Sequence, residues 1–163
     1  MNEYHIGEQS AHSIYQADQI FIGSQPRDHA QIGERALAQH DYASARIHLG
    51  RAIDDNPADP KARYRLALAL LGGQRPHMNT AETVEAVTAH LSQARQLREA
   101  QVLQVLVNED YYLAWQRSNA VPPELVNLVA SVSPASAKEI TEHVPAEQCR
   151  VWRLLKVRTG EGF

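Results

Sequence analysis

The chain has 163 residues, 44% of them hydrophobic and 21% charged, which suits one soluble globular domain and leaves no room for a second of full size. A formal net charge of −3 supplies no global basic field to gather nucleic acid, and no apolar run approaches the roughly 20 residues that cross a bilayer. The single cysteine, Cys149, excludes an internal disulfide, and the first ten residues lack a basic stretch followed by an apolar one, so the expected location is the cytoplasm.

Residues 1–25 differ in character from the rest of the chain. Tyr4 to Ser24 carries β-branched and aromatic residues, the pairs Ile6-Gly7 and Ile22-Gly23, and weak alternation. Ile14, Tyr15, Ile20, Phe21 and Ile22 predict one or two short strands about a polar turn. An isolated hairpin is marginal in water. Such a β-prone or flexible leader must pack on the helical part, pair with another chain or stay mobile, and the expectation is partial disorder or pairing with a partner strand, with self-pairing as an alternative.

From Arg27 onward Ala, Leu, Arg and Gln dominate, all good helix formers. Breakers divide residues 26–158 into helices. The first is expected over His29–His40 and the second over Tyr42–Asp55, before Pro57 and Pro60. The third runs from Pro60 to Leu71 and stops at Gly72-Gly73. A loop, Gln74 to Asn79, precedes a fourth helix from Thr80 to about Gln96. Asn79 and Glu82 stand at capping-box spacing there. A fifth covers Glu99 to about Arg117. Pro122-Pro123 opens a sixth, to about Ser131. Ser133-Pro134 pairs an N-cap residue with a first-turn proline and opens a seventh, which ends before Pro145. The eighth spans Ala146 to Val157, with 159–163 as a frayed tail. Tyr42, Ala45, Leu49, Ala52 and Ile53 share one helical face, as do Val84, Val87, Leu91 and Ala94. Short loops favour antiparallel hairpins, so the fold class expected is all-α.

Pro26 to Asp59 is 34 residues long. Gly33 stands where the first helix must approach the second. His40-Asp41-Tyr42 forms the turn, and Ala45, Leu49, Ala52 and Pro57 come after it as small, bulky, small and proline. This segment resembles the tetratricopeptide repeat, whose period is 34. Two departures are His40 in place of the turn glycine and His29 in place of a large aromatic. A second, degenerate unit begins at Pro60, with Tyr64, Leu66, Ala67 and Leu70 on its first helix and Leu91 and Ala94 on its second. The leader, through Ile14, Tyr15, Ala17, Ile20, Ile22 and Gly23, is also similar to segments that precede signalling or effector domains in actinobacterial proteins. The resemblance implies a short solenoid of three hairpins and a capping helix, working as a binding adaptor.

Such solenoids hold peptides in a groove. The resemblance implies groove contacts by Lys61, Tyr64, Arg65 and Leu68. In one subset of the family basic groove residues clamp a partner's terminal carboxylate. Glu34 on the preceding helix opposes that use, and a solvated face with i,i+4 charges is the plainer account of Lys61 and Arg65. Tyr112 and Trp115 read as an aromatic packing cluster or as a partner anchor. The eight histidines include no His-x-x-x-His pair, so no metal is expected. Cys149 lies one helical turn from Trp152 and suits a small core position better than a nucleophile. Arg150, Arg153, Lys156 and Arg158 make the last helix basic and amphipathic, which fits a terminal helix with a solvated edge. No phosphate-binding loop is present. The expected function is a protein-binding module without catalysis or cofactor. Its partner is a protein or peptide, with self-assembly through the leader as the alternative. Neither nucleic acid nor membrane is expected.

Overall fold

The computed structural model describes residues 28–112 and 121–161. The expected leader strands and Trp115 lie outside these residues, and the expected fifth helix ends at Tyr111, with Tyr112 as its C-cap, short of Arg117. The described residues form eight α-helices and no strand. They are α1 (His29–Ala38), α2 (Tyr42–Asp55), α3 (Pro60–Leu71), α4 (Ala81–Gln93), α5 (Arg98–Tyr111), α6 (Pro123–Ala130), α7 (Pro134–His143) and α8 (Arg150–Thr159), with a 3₁₀ turn at Pro76–Met78. None is long and apolar enough to cross a membrane.

Polar caps start most of these helices. Asp28, Asp41 and Asp59 accept hydrogen bonds from the backbone N–H groups of Gln31, Ser44 and Ala62, and Ser133 does the same for Ser136. Pro60 and Pro134 then occupy first-turn positions, where a missing N–H costs nothing. α3 ends on Gly72 in the left-handed conformation, with φ +62°. α1 ends two residues earlier than expected. His40, not a glycine, takes φ +58°, while the His40 and Asp41 N–H groups donate to the Leu37 and Ala36 carbonyls. This pair of bonds is the usual helix-terminating arrangement. It forces a residue with a Cβ into the left-handed region.

Other boundaries also correct the sequence reading, and α4 ends at Gln93, short of the expected Gln96. Thr80, not Asn79, caps α4: its Oγ1 accepts from Thr83 N–H. Asn79 instead donates through Nδ2 to the Arg75 and Leu71 carbonyls and holds the loop closed. The last helix begins at Arg150, because Ala146 to Cys149 turn on a bond from Cys149 N–H to the Ala146 carbonyl. It runs on through Thr159, expected in the tail, to a left-handed Gly160.

α1 packs on α2, α2 on α3, and α3 on α4. The first contact depends on a glycine. A Cβ on Gly33 would sit 2.6 Å from Leu49 Cγ and 3.1 Å from the Leu49 backbone nitrogen. Ala45 and Leu49 are fully buried, Ala52 nearly so. Small residues thus admit the facing helix and Leu49 fills the gap. Ile53, Leu66, Leu91 and Leu106 join the same core, while Leu70 packs on it only partly buried.

Beyond α4 the chain departs from a linear stack. α7 and α8 pair as a hairpin, α8 covers α5 and α6, and α7 reaches back to α5 and α3. α3 is buried at Ala62, Tyr64, Leu66, Ala67, Leu68, Ala69 and Leu71, which leaves it few exposed positions.

Gly33→Ala is expected to cost about 1–3 kcal/mol by overpacking, and Leu49→Ala about 2–5 kcal/mol by cavity formation. The double variant should lose less than the sum, since removing the Leu49 branch admits the new methyl. Urea melts of the four proteins test this; strict additivity would contradict the contact.

Candidate functional site

The sequence singles out Lys61, Tyr64, Arg65 and Leu68, all on α3. The fold brings three carboxylates from three other helices to this face. Glu99 of α5 accepts from Lys61 Nζ at 2.6 Å. Glu34 of α1 accepts from Arg65 Nη2 at 2.8 Å. Glu139 of α7 accepts from the Tyr64 hydroxyl at 3.3 Å and lies 3.8 Å from Arg65 Nε. Tyr64 and Leu68 are fully buried, Arg65 largely so, and Lys61 half-exposed. The opposition expected between Glu34 and a bound carboxylate takes a different form here: Glu34 itself pairs with Arg65. Glu139 has no counterpart in the sequence reading, because nothing local in Pro134–His143 signals that its helix returns to α3.

The seat of Glu139 is incompletely satisfied. Arg65 Nε is buried and has no hydrogen-bond partner among the described residues. Burial pushes the Glu139 carboxyl up, and the charges of Arg65 and Lys61 only partly offset it. Burial also tends to raise Glu99, but the Lys61 bond prevails and its carboxyl is lowered. Burial, with Glu139 beside it, holds the Tyr64 phenol well above its ordinary range, so Tyr64 remains a neutral donor.

A second link holds the far end of α7. Tyr42 Oη lies 2.9 Å from His40 Nδ1 and 2.9 Å from His143 Nδ1. One phenol can donate to one imidazole and accept from the other. Burial, and then His40 nearby, lower the pKa of His143. The Tyr42 ring also lies against Gly73, where a Cβ would come 2.9 Å from Tyr42 Cε2. The middle of α7, at Glu139, and its C-terminal end, at His143, are therefore tied to the first two hairpins by polar contacts.

The two adjacent acids Glu109 and Asp110 serve separate purposes. Asp110 is buried and accepts from Arg75 Nη2 and Nε, from His77 N–H at 2.8 Å, and from the Cys149 thiol at 3.5 Å. Burial alone would raise its carboxyl, but Arg75 and the His77 N–H outweigh it and the net shift is downward. Glu109 accepts from the backbone N–H groups of Arg150 and Val151, each at 3.1 Å, and from Arg150 Nε at 2.8 Å. It thereby caps α8 from a distant helix. Cys149 is pushed up to about 12, first by burial and then by Asp110, so thiolate is scarce near neutrality.

Tyr112 is exposed and meets Tyr111 edge-to-face at 4.9 Å between ring centres. Trp152, one turn from Cys149, is buried and donates from Nε1 to the Val144 carbonyl. His29 replaces the expected aromatic and meets His48 of α2, Nδ1 to Nδ1, at 3.0 Å. The ring centres lie 5.3 Å apart with planes inclined 26°. The two nitrogens point at each other, as in an N–H···N bond. No group of three or more potential metal ligands gathers among the described residues. A depression of about 300 Å³ between α4 and α5 is lined by Leu91, Ser92, Arg95, Ala100, Gln101 and Gln104. It offers no carboxylate, imidazole or thiol for acid–base or nucleophilic work.

Compared with protein-family models, with curated proteins and with solved structures, the chain matches none.

Glu139 and Asp110 should respond to pH in opposite directions. Because the folded pKa of Glu139 is raised, the native state binds more protons than the unfolded one above about pH 4, and its contribution falls as pH rises. Glu139→Gln removes that titration. Its stability relative to wild type should increase from pH 4 to 7 in urea melts, and a flat or falling difference would refute the seat. Asp110 is lowered, so its contribution is present at neutral pH and lost on acidification. Asp110→Asn should cost about 3–5 kcal/mol at pH 7, with a smaller penalty in acid; a pH-independent loss would count against the Arg75 pair.

Proposed function

We propose that this chain is a protein-interaction scaffold built on degenerate tetratricopeptide-like hairpins. Its binding face is that of α3, carrying Lys61, Tyr64, Arg65 and Leu68. The observation that supports this reading is the seating of α7 on α3 and α5, with Glu139 at Tyr64 and Arg65. A face that accepts a carboxylate-bearing helix from its own chain has the shape and charge to accept one from another. The contact on α3 is limited compared with that between α7 and α8. Ala137, Ile140, Thr141 and His143 are the buried residues of α7, and only the first two are apolar. Its hold on α3 is therefore modest, and a partner helix with larger apolar anchors would compete for the place.

In this reading α7 is a resident occupant, the partner is a protein or peptide, and the chain works as a cytoplasmic adaptor without catalysis. Tyr112, exposed just after α5, is a further candidate anchor in this reading, and Trp115 lies outside the described residues.

The test uses three full-length proteins: wild type, Glu139→Lys with Ile140→Ala to loosen α7, and the same with Arg65→Glu. Partners captured from cell extract are quantified by mass spectrometry. The expected result is a set enriched on the loosened variant and lost again with Arg65→Glu. A set captured equally by all three would place binding elsewhere. Recovery of the chain alone in every case would favour self-assembly.

A further inference from the structure

A second surface is independent of α3. α6 reads Pro-Glu-Leu-Val-Asn-Leu-Val-Ala, apolar at Leu125, Val126, Leu128, Val129 and Ala130. Glu124 and Asn127 give it one polar side, and the broad apolar face that remains would ordinarily be covered by neighbours. Here only Leu125 and Val129 are buried, while Val126 and Ala130 face outward. α8 runs beside it and exposes Val157, which is 63% accessible. Between the two helices lies a groove of about 260 Å³, lined by Val126, Val129, Ala130, Leu154, Val157 and Arg158. That volume is below the range usual for small-molecule pockets. It suits side chains inserted from an adjoining helix.

The charges around the groove are one-sided. Lys156 pairs with Glu161, and Arg150 with Glu109. Arg153 donates to the Glu147 and Gln148 carbonyls, and Arg158 to the Val132 carbonyl. Neither of these two forms an ion pair with a carboxylate among the described residues. Neutral acceptors fix the two guanidiniums in place and leave their charge uncompensated. The α6 wall contributes a single carboxylate, the exposed Glu124 in its first turn. A bilayer is the poorer match. The largest apolar group of α8, Trp152, faces the core, which leaves two valines in a concave surface where insertion needs a broad convex apolar face.

We propose that the α6–α8 groove docks an amphipathic helix of a partner protein, its apolar stripe lying between Val126 and Val157 and its flanking carboxylates meeting Arg153 and Arg158.

The test is a selection on the full-length protein. A displayed library of helical peptides of about 15 residues, long enough to sustain a helix, keeps leucine at i, i+4, i+7 and i+11. The flanking positions vary among Glu, Lys and Ser. Clones are counter-selected on Val157→Glu, an exposed substitution whose melting temperature should equal that of wild type. The proposal expects groove-dependent clones enriched at least about tenfold in Glu over Lys at the flanks, with affinity falling about tenfold on Arg158→Glu. Absence of clones that distinguish wild type from Val157→Glu would overturn it, as would enrichment in Lys. Two further measurements identify other occupants and would equally overturn it: anionic vesicles bound by wild type but not by Val157→Glu, or a dimer in sedimentation that this substitution dissolves.

Discussion

The architecture depends on a helix with almost no free side. α3 touches α1, α2, α4 and α7, and seven of its twelve residues are buried. Its sequence allows this because alanines alternate with leucines, so neighbours approach at the small positions and interlock at the large ones. The cost of so central a helix falls on its polar groups. Tyr64 and Arg65 are carried inside with it and need partners there. Glu34 and Glu139 supply them, while Glu99 pairs with Lys61 at the edge. The arrangement of α1, α5 and α7 about α3 is thus as much a solution to buried polarity as to apolar packing.

The second half is organised by the same rule with the signs reversed. There the carboxylates are the buried groups. Asp110 draws in Arg75, the His77 N–H and the Cys149 thiol, and Glu109 takes the free N–H groups at the start of α8. Consecutive residues on one helix thereby fasten the loop before α4 and the beginning of α8 to α5. Desolvation of such buried charges offsets much of their Coulombic gain, so loss of one partner costs more than the pair as a whole contributes.

What the sequence disclosed divides along the distance of the interactions involved. α2 and α3 were legible to the residue, because Asp41, Pro57, Pro60 and Gly72 act within one turn. The Gly33–Leu49 contact was legible from a repeat spacing. The start of α8 was not, since its cap is Glu109, 41 residues away. Nor was the burial of Tyr64, which depends on Glu139, 75 residues away, on a helix whose composition resembles any exposed one. Lys61, Tyr64, Arg65 and Leu68 all lie on α3, but the packing of α7 against that helix could be seen only in three dimensions. His40 is an intermediate case. Its place in a glycine position was visible, whereas its left-handed backbone and its bond to Tyr42 were not.

The bond from Tyr42 to His143 joins residues 101 apart in the chain. Repeat arrays ordinarily fold and fail locally, each unit supported only by the next, and they can be lengthened by inserting copies. A chain whose seventh helix closes on its second gives up that modularity. An added hairpin between α4 and α5 would carry His143 and Glu139 away from their contacts. The described helices are therefore tied across the sequence as well as between neighbours.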